Sequence, residues 1–168
     1  MPSPASLAAG QYYAHPRNLF WTAVAEAVGV PASAPYRRRC ADLRRAGIAL
    51  WDVLAECRRA GSSDSAISPR GRRVRDIARL LRAHPTIRFV LLNGAFAAGI
   101  FRREIAPRLG RRIESLRVVR LPSTSPAAAA VSRTEKLRRW RRALERALGP
   151  RSRDAVTSCK IRCRRRRS

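Results

Sequence analysis

Carboxylates are scarce in this chain, with 11 Asp and Glu set against 37 Lys and Arg, and only Lys136 and Lys160 among the basic residues are lysines. The 4 cysteines, Cys40, Cys57, Cys159 and Cys163, form no C-x-x-C pair, which excludes the usual redox motif. Cys159 and Cys163 are close enough to share a zinc ion, but no second ligand pair lies nearby, so no metal site is expected. No apolar run approaches the roughly 18 residues that cross a bilayer, and no signal peptide precedes the polar stretch near the start. These absences point to a cytoplasmic chain with reduced thiols and no membrane contact.

Positive charge is abundant instead. A formal net charge of +26 on 168 residues calls for a polyanionic partner, most simply nucleic acid, ahead of an anionic membrane surface. A hydrophobic fraction of 45% is enough to bury one core, so the chain reads as a single domain. Residues 1–149 carry the periodic segments. Residues 150–168 are polar, end in Arg164-Arg165-Arg166-Arg167, and are expected to be a disordered basic tail.

One stretch differs from the arginine-studded remainder. Residues 10–21 crowd Gly10, Gln11, Tyr12, Tyr13, His15, Pro16, Asn18, Phe20 and Trp21 into a loop that enters a helix. Pro16 biases His15 away from the helical region, and Asn18 is a good N-cap for the apolar-periodic segment 18–28. Such a junction gathers backbone N–H groups, a positive dipole end and two tyrosine faces, which suit an anion or a flat ring.

Residues 1–10, with Pro2 and Pro4, read as a loop. A short basic helix is predicted over 36–46 with Gly47 as its C-cap, and 48–54 fits either a buried strand or a helical turn. Residues 61–65 form a loop that 68–72 extends, followed by a helix over 74–83 halted by Pro85. Segments 87–92 and 117–121 are strands, separated by a helix over 95–105. The last helix begins at a capping box, Ser132 with Glu135, and lines up Leu137, Trp140, Leu144 and Leu148; Lys136 is placed on its basic face. Alternating strands and helices predict an α/β fold, a mainly parallel sheet covered on both faces. Ligands gather at the carboxyl ends of such strands, where Asn93-Gly94 and Pro122-Ser123-Thr124-Ser125-Pro126 stand, so these loops and the opening stretch are expected to meet.

In order and spacing, Met1-Pro2-Ser3, Gln11-Tyr12-Tyr13-Ala14-His15-Pro16-Arg17-Asn18 with Phe20-Trp21, Leu50-Trp51-Asp52-Val53-Leu54, Gly61-Ser62 with Asp64-Ser65, Asn93-Gly94 and Leu121-Pro122-Ser123-Thr124-Ser125-Pro126-Ala127 form a specific set. Together they resemble the hypoxanthine-DNA (deoxyinosine) glycosylase branch of the uracil-DNA glycosylase superfamily, and more distantly the mismatch-specific uracil-DNA glycosylases. The resemblance implies a three-layer αβα sandwich around a short, mainly parallel central sheet. It also implies a strand ahead of the first motif; because Met1 stands inside that motif, the chain is expected to lack the strand.

The function implied is excision of deaminated bases, hypoxanthine and also uracil or xanthine, from double-stranded DNA by base flipping and hydrolysis. The enzyme would act as a monomer without a cofactor. By motif match, Asn18 would hold the attacking water and Tyr13 would stack on the flipped base. Gln11, His15, Pro2, Ser3, Asn93, Ser123, Thr124 and Ser125 would contact base or DNA. For His15, bracing the turn before Pro16 is the stronger reading. No acid stands in the three loops, leaving the DNA phosphates, or an acid elsewhere such as Asp52 or Asp64, to assist the cationic transition state beside Asn18. Bifunctional glycosylases commonly use an amine, so the scarcity of lysine points to a monofunctional enzyme. The competing readings are a mismatch-specific uracil-DNA glycosylase and a non-enzymatic basic DNA-binding protein derived from a glycosylase.

Overall fold

The computed structural model describes residues 3–59 and 67–149. The Gly61-Ser62 and Asp64-Ser65 motif pieces, Pro2 and the 150–168 tail lie outside them. Among the described residues, four strands and six α-helices run in the order α1 (Pro4–Ala9), α2 (Phe20–Val28), α3 (Tyr36–Arg45), β1 (Leu54–Arg59), β2 (Ile67–Val74), α4 (Ile77–Ala83), β3 (Phe89–Asn93), α5 (Ala95–Ile100), β4 (Arg117–Leu121) and α6 (Arg133–Leu148). Between α5 and β4 the chain continues as a π-helical segment (Phe101–Ile105) and two 3-10 turns (Ala106–Arg108 and Gly110–Ser115).

The strand pair that positions the site is β3 with β4, parallel and in register from Phe89 opposite Arg117 to Asn93 opposite Leu121. Successive side chains of a strand point to opposite faces, and the apolar run of β3 uses both. Val90 and Leu92 pack with Ile77, Leu81, Ile100, Phe101 and Ile105. Leu91 turns the other way, with Val119 and Leu121 of β4, onto Phe20, Val24, Trp140 and Leu144. The parallel pair is therefore a seam between two cores, one built with α4, α5 and the π-helical segment, the other with α2, α3 and α6. Each large apolar side chain buried there contributes roughly 1.5–3 kcal/mol.

Helix boundaries follow local chemistry. In α2, Phe20, Trp21, Val24 and Val28 recur on one buried face, and Gly29, at φ +72°, ends the helix in the left-handed conformation. Helix α6 starts where the Ser132 Oγ accepts the Glu135 N–H at 3.2 Å. The Glu135 carboxylate turns to Arg138 and Arg139, whose guanidinium groups hold its pKa down at about 2.

Several expectations need correction. Residues 4–9 are helix α1, not loop: Ser3 caps it by accepting the Ser6 N–H, and Pro4 occupies a first-turn position whose missing N–H costs nothing. Residues 68–72 belong to strand β2, which pairs antiparallel with β1. The sheet is thus not mainly parallel across the chain: among the described residues, one two-stranded ladder is parallel and one antiparallel. Val74 ends β2, and α4 begins only after Asp76, whose carboxylate accepts the Arg79 N–H. Residues 48–53 form neither strand nor helix. The C-cap of α3 is Ala46, with Gly47 following at φ +73°. Helix α2 starts at Phe20 with Leu19 in the cap position, so Asn18 precedes the cap.

Candidate active site

The opening stretch is fixed from four sides. Gly10 ends α1 at φ +58°, and the buried Ser6 hydroxyl accepts the Ala14 N–H at 3.1 Å, fastening the loop to α1. Tyr12 donates its N–H to the Tyr36 hydroxyl at 3.1 Å, while its carbonyl accepts the Trp21 indole N–H at 2.9 Å. Tyr13 adopts φ +55°, a left-handed conformation that costs a non-glycine residue about 1–3 kcal/mol unless its surroundings impose it. Here they do. Its ring stacks on Phe20 with centroids 4.0 Å apart, and its hydroxyl accepts the Asn93 Nδ2–H at 3.1 Å.

Next, the His15 Nδ1 accepts the Arg17 N–H at 3.1 Å and the His15 carbonyl accepts the Asn18 N–H at 2.8 Å, the turn-bracing arrangement. The Asn18 Oδ1 accepts the Phe20 N–H at 3.0 Å. This bond fixes the carboxamide plane and uses one of the two lone pairs on that oxygen.

Asn93, at the carboxyl end of β3, joins the three loops. Its Nδ2 donates to Tyr13 and, at 2.9 Å, to the Thr124 hydroxyl, while its Oδ1 accepts the Thr124 N–H at 2.9 Å. Thr124 is 0% exposed, and its carbonyl accepts the Leu19 N–H at 3.0 Å. The expected convergence of the three loops is therefore present, made by one carboxamide and one threonine. The Ser123 Oγ accepts the Ser125 N–H, and the Ser125 Oγ accepts the Ala127 N–H, at 3.2 and 3.3 Å. Each hydroxyl proton remains to be donated elsewhere.

Gly94 sits against this loop at φ +96° and ψ 172°, and a Cβ there would come within 3.1 Å of the Ser123 Cβ. Gly94→Ala is expected to destabilise the fold by about 1–3 kcal/mol, since strain and crowding act together. Urea denaturation of wild type and variant checks this, and equal midpoints would remove Gly94 from the set of shape-determining residues.

The sequence reading missed Ser6, Tyr36 and the rear supports of the 122–126 loop. From α6, Trp140 donates its indole N–H to the Pro122 carbonyl at 2.9 Å and Lys136 its ammonium to the Ser125 carbonyl at 3.1 Å. Lys136 is not on an open basic face but buried, and desolvation lowers its pKa. Its signal was available: 136, 140 and 144 share one helical stripe. Gln11 is half-buried behind α1, its N–H on the Ser6 carbonyl, and Ser3 is occupied as the α1 cap.

Asp52 lies near enough to the Tyr12 hydroxyl for its charge to act on it; Asp64 is outside the described residues. Burial first, and then the Asp52 charge, push Tyr12 from 10.0 up to about 12. Burial likewise raises Tyr13 and Tyr36. The folded chain keeps these protons where the unfolded chain loses them, so this stability is complete below about pH 10 and lost as pH rises toward 12. Thermal melts across that window should show the loss, and Tyr12→Phe should flatten it. An unchanged slope in the variant would contradict the assignment.

The arrangement has solved and curated counterparts. A solution NMR structure from Methanosarcina acetivorans, provisionally named a uracil DNA glycosylase, superposes with a TM-score of 0.70 at 28% identity, covering 88% of this chain and 86% of that one. Two curated proteins named hypoxanthine DNA glycosylase, from Methanosarcina barkeri and Methanosarcina acetivorans, are 33% and 34% identical over 95 residues, or 56% of this chain. The chain spans about 59% of the length of these curated relatives. No protein-family profile matches. The fold thus places the chain beside a mixed α/β protein of the uracil-DNA glycosylase type. Within that superfamily its resemblance is to the hypoxanthine-DNA glycosylase branch, which the relatives bear out as the motifs indicated.

Proposed function

We propose that this chain is a monofunctional DNA repair glycosylase that hydrolyses the N-glycosidic bond of deaminated bases, hypoxanthine first, leaving an abasic site. The observation that carries the reading is the Asn93 clasp, which joins Tyr13 to Thr124, itself bonded to Leu19 next to Asn18, on a fold shared with a glycosylase-named structure. Cleavage builds positive charge on the sugar and negative charge on the departing base, so the site needs a held water and donors aimed at the base. Asn18, with its carboxamide already oriented by Phe20, holds the water. Tyr13, backed by Phe20, is a rigid platform for the flipped ring. The Ser123 and Ser125 hydroxyl protons grip phosphate beside it.

Arginines on the outer faces add sequence-independent attraction, and binding weakens steeply with salt. The Asp52 carboxylate at Tyr12 is the described acid that supports the cationic sugar. Double-stranded DNA is the partner, and no helix among the described residues is long and apolar enough to cross a membrane.

The test is incubation of the chain with duplex oligonucleotides carrying deoxyinosine, uracil or xanthine, followed by alkali to reveal abasic sites. Deoxyinosine should be cut fastest, with no borohydride-trapped adduct. Uracil cut first would favour the mismatch-specific branch. Binding without cleavage of any of the three would sink the enzymatic reading in favour of a DNA-binding protein.

A further inference from the structure

Lys136 is the described lysine of a chain otherwise charged by arginine, and the fold spends it in an unfavourable place. Its side chain is only 5% exposed, on the first turn of α6, where the helix dipole already presents positive charge. Among the described residues no carboxylate pairs with it: the neighbouring Glu135 is taken by Arg138 and Arg139, and the Ser125 carbonyl is its one described partner. A buried ammonium without a counter-ion costs stability.

That cost makes sense if the counter-ion arrives with the ligand. The carbonyls of Pro122, Thr124 and Ser125 are all turned inward, onto Trp140, Leu19 and Lys136. The half-buried Ser123 and Ser125 of this loop keep their hydroxyl protons to donate, and the Lys136 charge stands behind the Ser125 end. Resting on the glycosylase reading, we propose that Lys136 is a positioning residue for DNA: it fixes the Ser125 end of the loop and supplies the charge that a backbone phosphate next to the flipped nucleotide neutralises. The lowered pKa of the free amine is consistent with this, since desolvation is its cause and an approaching phosphate reverses it.

Lys136→Met keeps the length of the side chain and removes the charge. Binding to an undamaged duplex, and to a deoxyinosine duplex in an Asn18→Ala background, is titrated from 0.05 to ~0.5 M salt. One neutralised phosphate contributes about 0.9 to the slope of log affinity against log salt. The Met variant should lose about that much slope, and roughly eightfold in affinity at 0.1 M salt. Its thermal unfolding should remain cooperative, so that the slope is read on folded protein. Lys136→Arg should recover the slope.

An unchanged slope in Lys136→Met, or a variant that fails to fold, would overturn the proposal and leave Lys136 a purely structural support. Failure of the glycosylase reading is separable. It would show as wild type that cuts none of the three substrates, while the slopes on undamaged duplex still decide whether Lys136 meets phosphate.

Discussion

Asn18→Ala should lower single-turnover excision of hypoxanthine by at least about 10²-fold, the scale on which removal of one oriented polar group at a reacting centre acts. The same change removes the Oδ1 that accepts the Phe20 N–H, so a stability loss of about 0.5–2 kcal/mol accompanies it. These effects are separable. Asn18→Ser retains a short acceptor for the start of α2 but withdraws the carboxamide from the pocket, so stability should return while activity stays low. Cleavage that survives in Asn18→Ala would move the water-holding role to another residue, with Asp52 the first to examine.

Asn93→Leu should be the most destabilising single change at the site. It keeps the branched outline of the side chain, with bulkier methyl groups, but strips three hydrogen bonds and leaves the N–H and hydroxyl of the fully buried Thr124 without their partner. Each buried group so orphaned costs about 1–3 kcal/mol, giving an expected loss of roughly 2–5 kcal/mol in denaturant unfolding. Activity should vanish with it, because Tyr13 loses the bond that holds its ring edge. A double-mutant cycle with Thr124→Val tests the cause. Once Thr124 has no hydroxyl, Asn93→Leu should cost clearly less, by more than about 0.5 kcal/mol. Additive losses would show that Asn93 acts through packing instead.

Elements with a local cause were legible in the sequence. The β4 strand, the end of α2 at Gly29 and the start of α6 at Ser132 follow from adjacent β-branched valines, a left-handed glycine and a capping serine. Helix α1 was hidden because Pro4 was read as a breaker, although a proline after Ser3 is a helix-start signal. Strand β2 was hidden for a deeper reason. Its sequence, Ile67-Ser68-Pro69-Arg70-Gly71-Arg72-Arg73-Val74, has turn composition, and its extended form is set by pairing with β1.

The site divided in the same way. That three loops converge was readable from strand order, and Asn18, Tyr13, Asn93 and Thr124 were named from motifs. The supports were not: the Tyr36 hydroxyl reaches Tyr12 across 24 positions, a contact no periodicity encodes.

The seam position of the clasp bears on motion. Thr124 receives Asn93 from the strand that both cores share and gives its carbonyl to the first residue before α2, so neither half can swing without breaking these bonds. In hydrogen–deuterium exchange, the Leu19 and Thr124 amides should open only with global unfolding, not by local fraying. On the proposed reading, a site built on such a joint would meet a flipped nucleotide with its walls already in place, and the adjustment to the lesion would fall on the DNA.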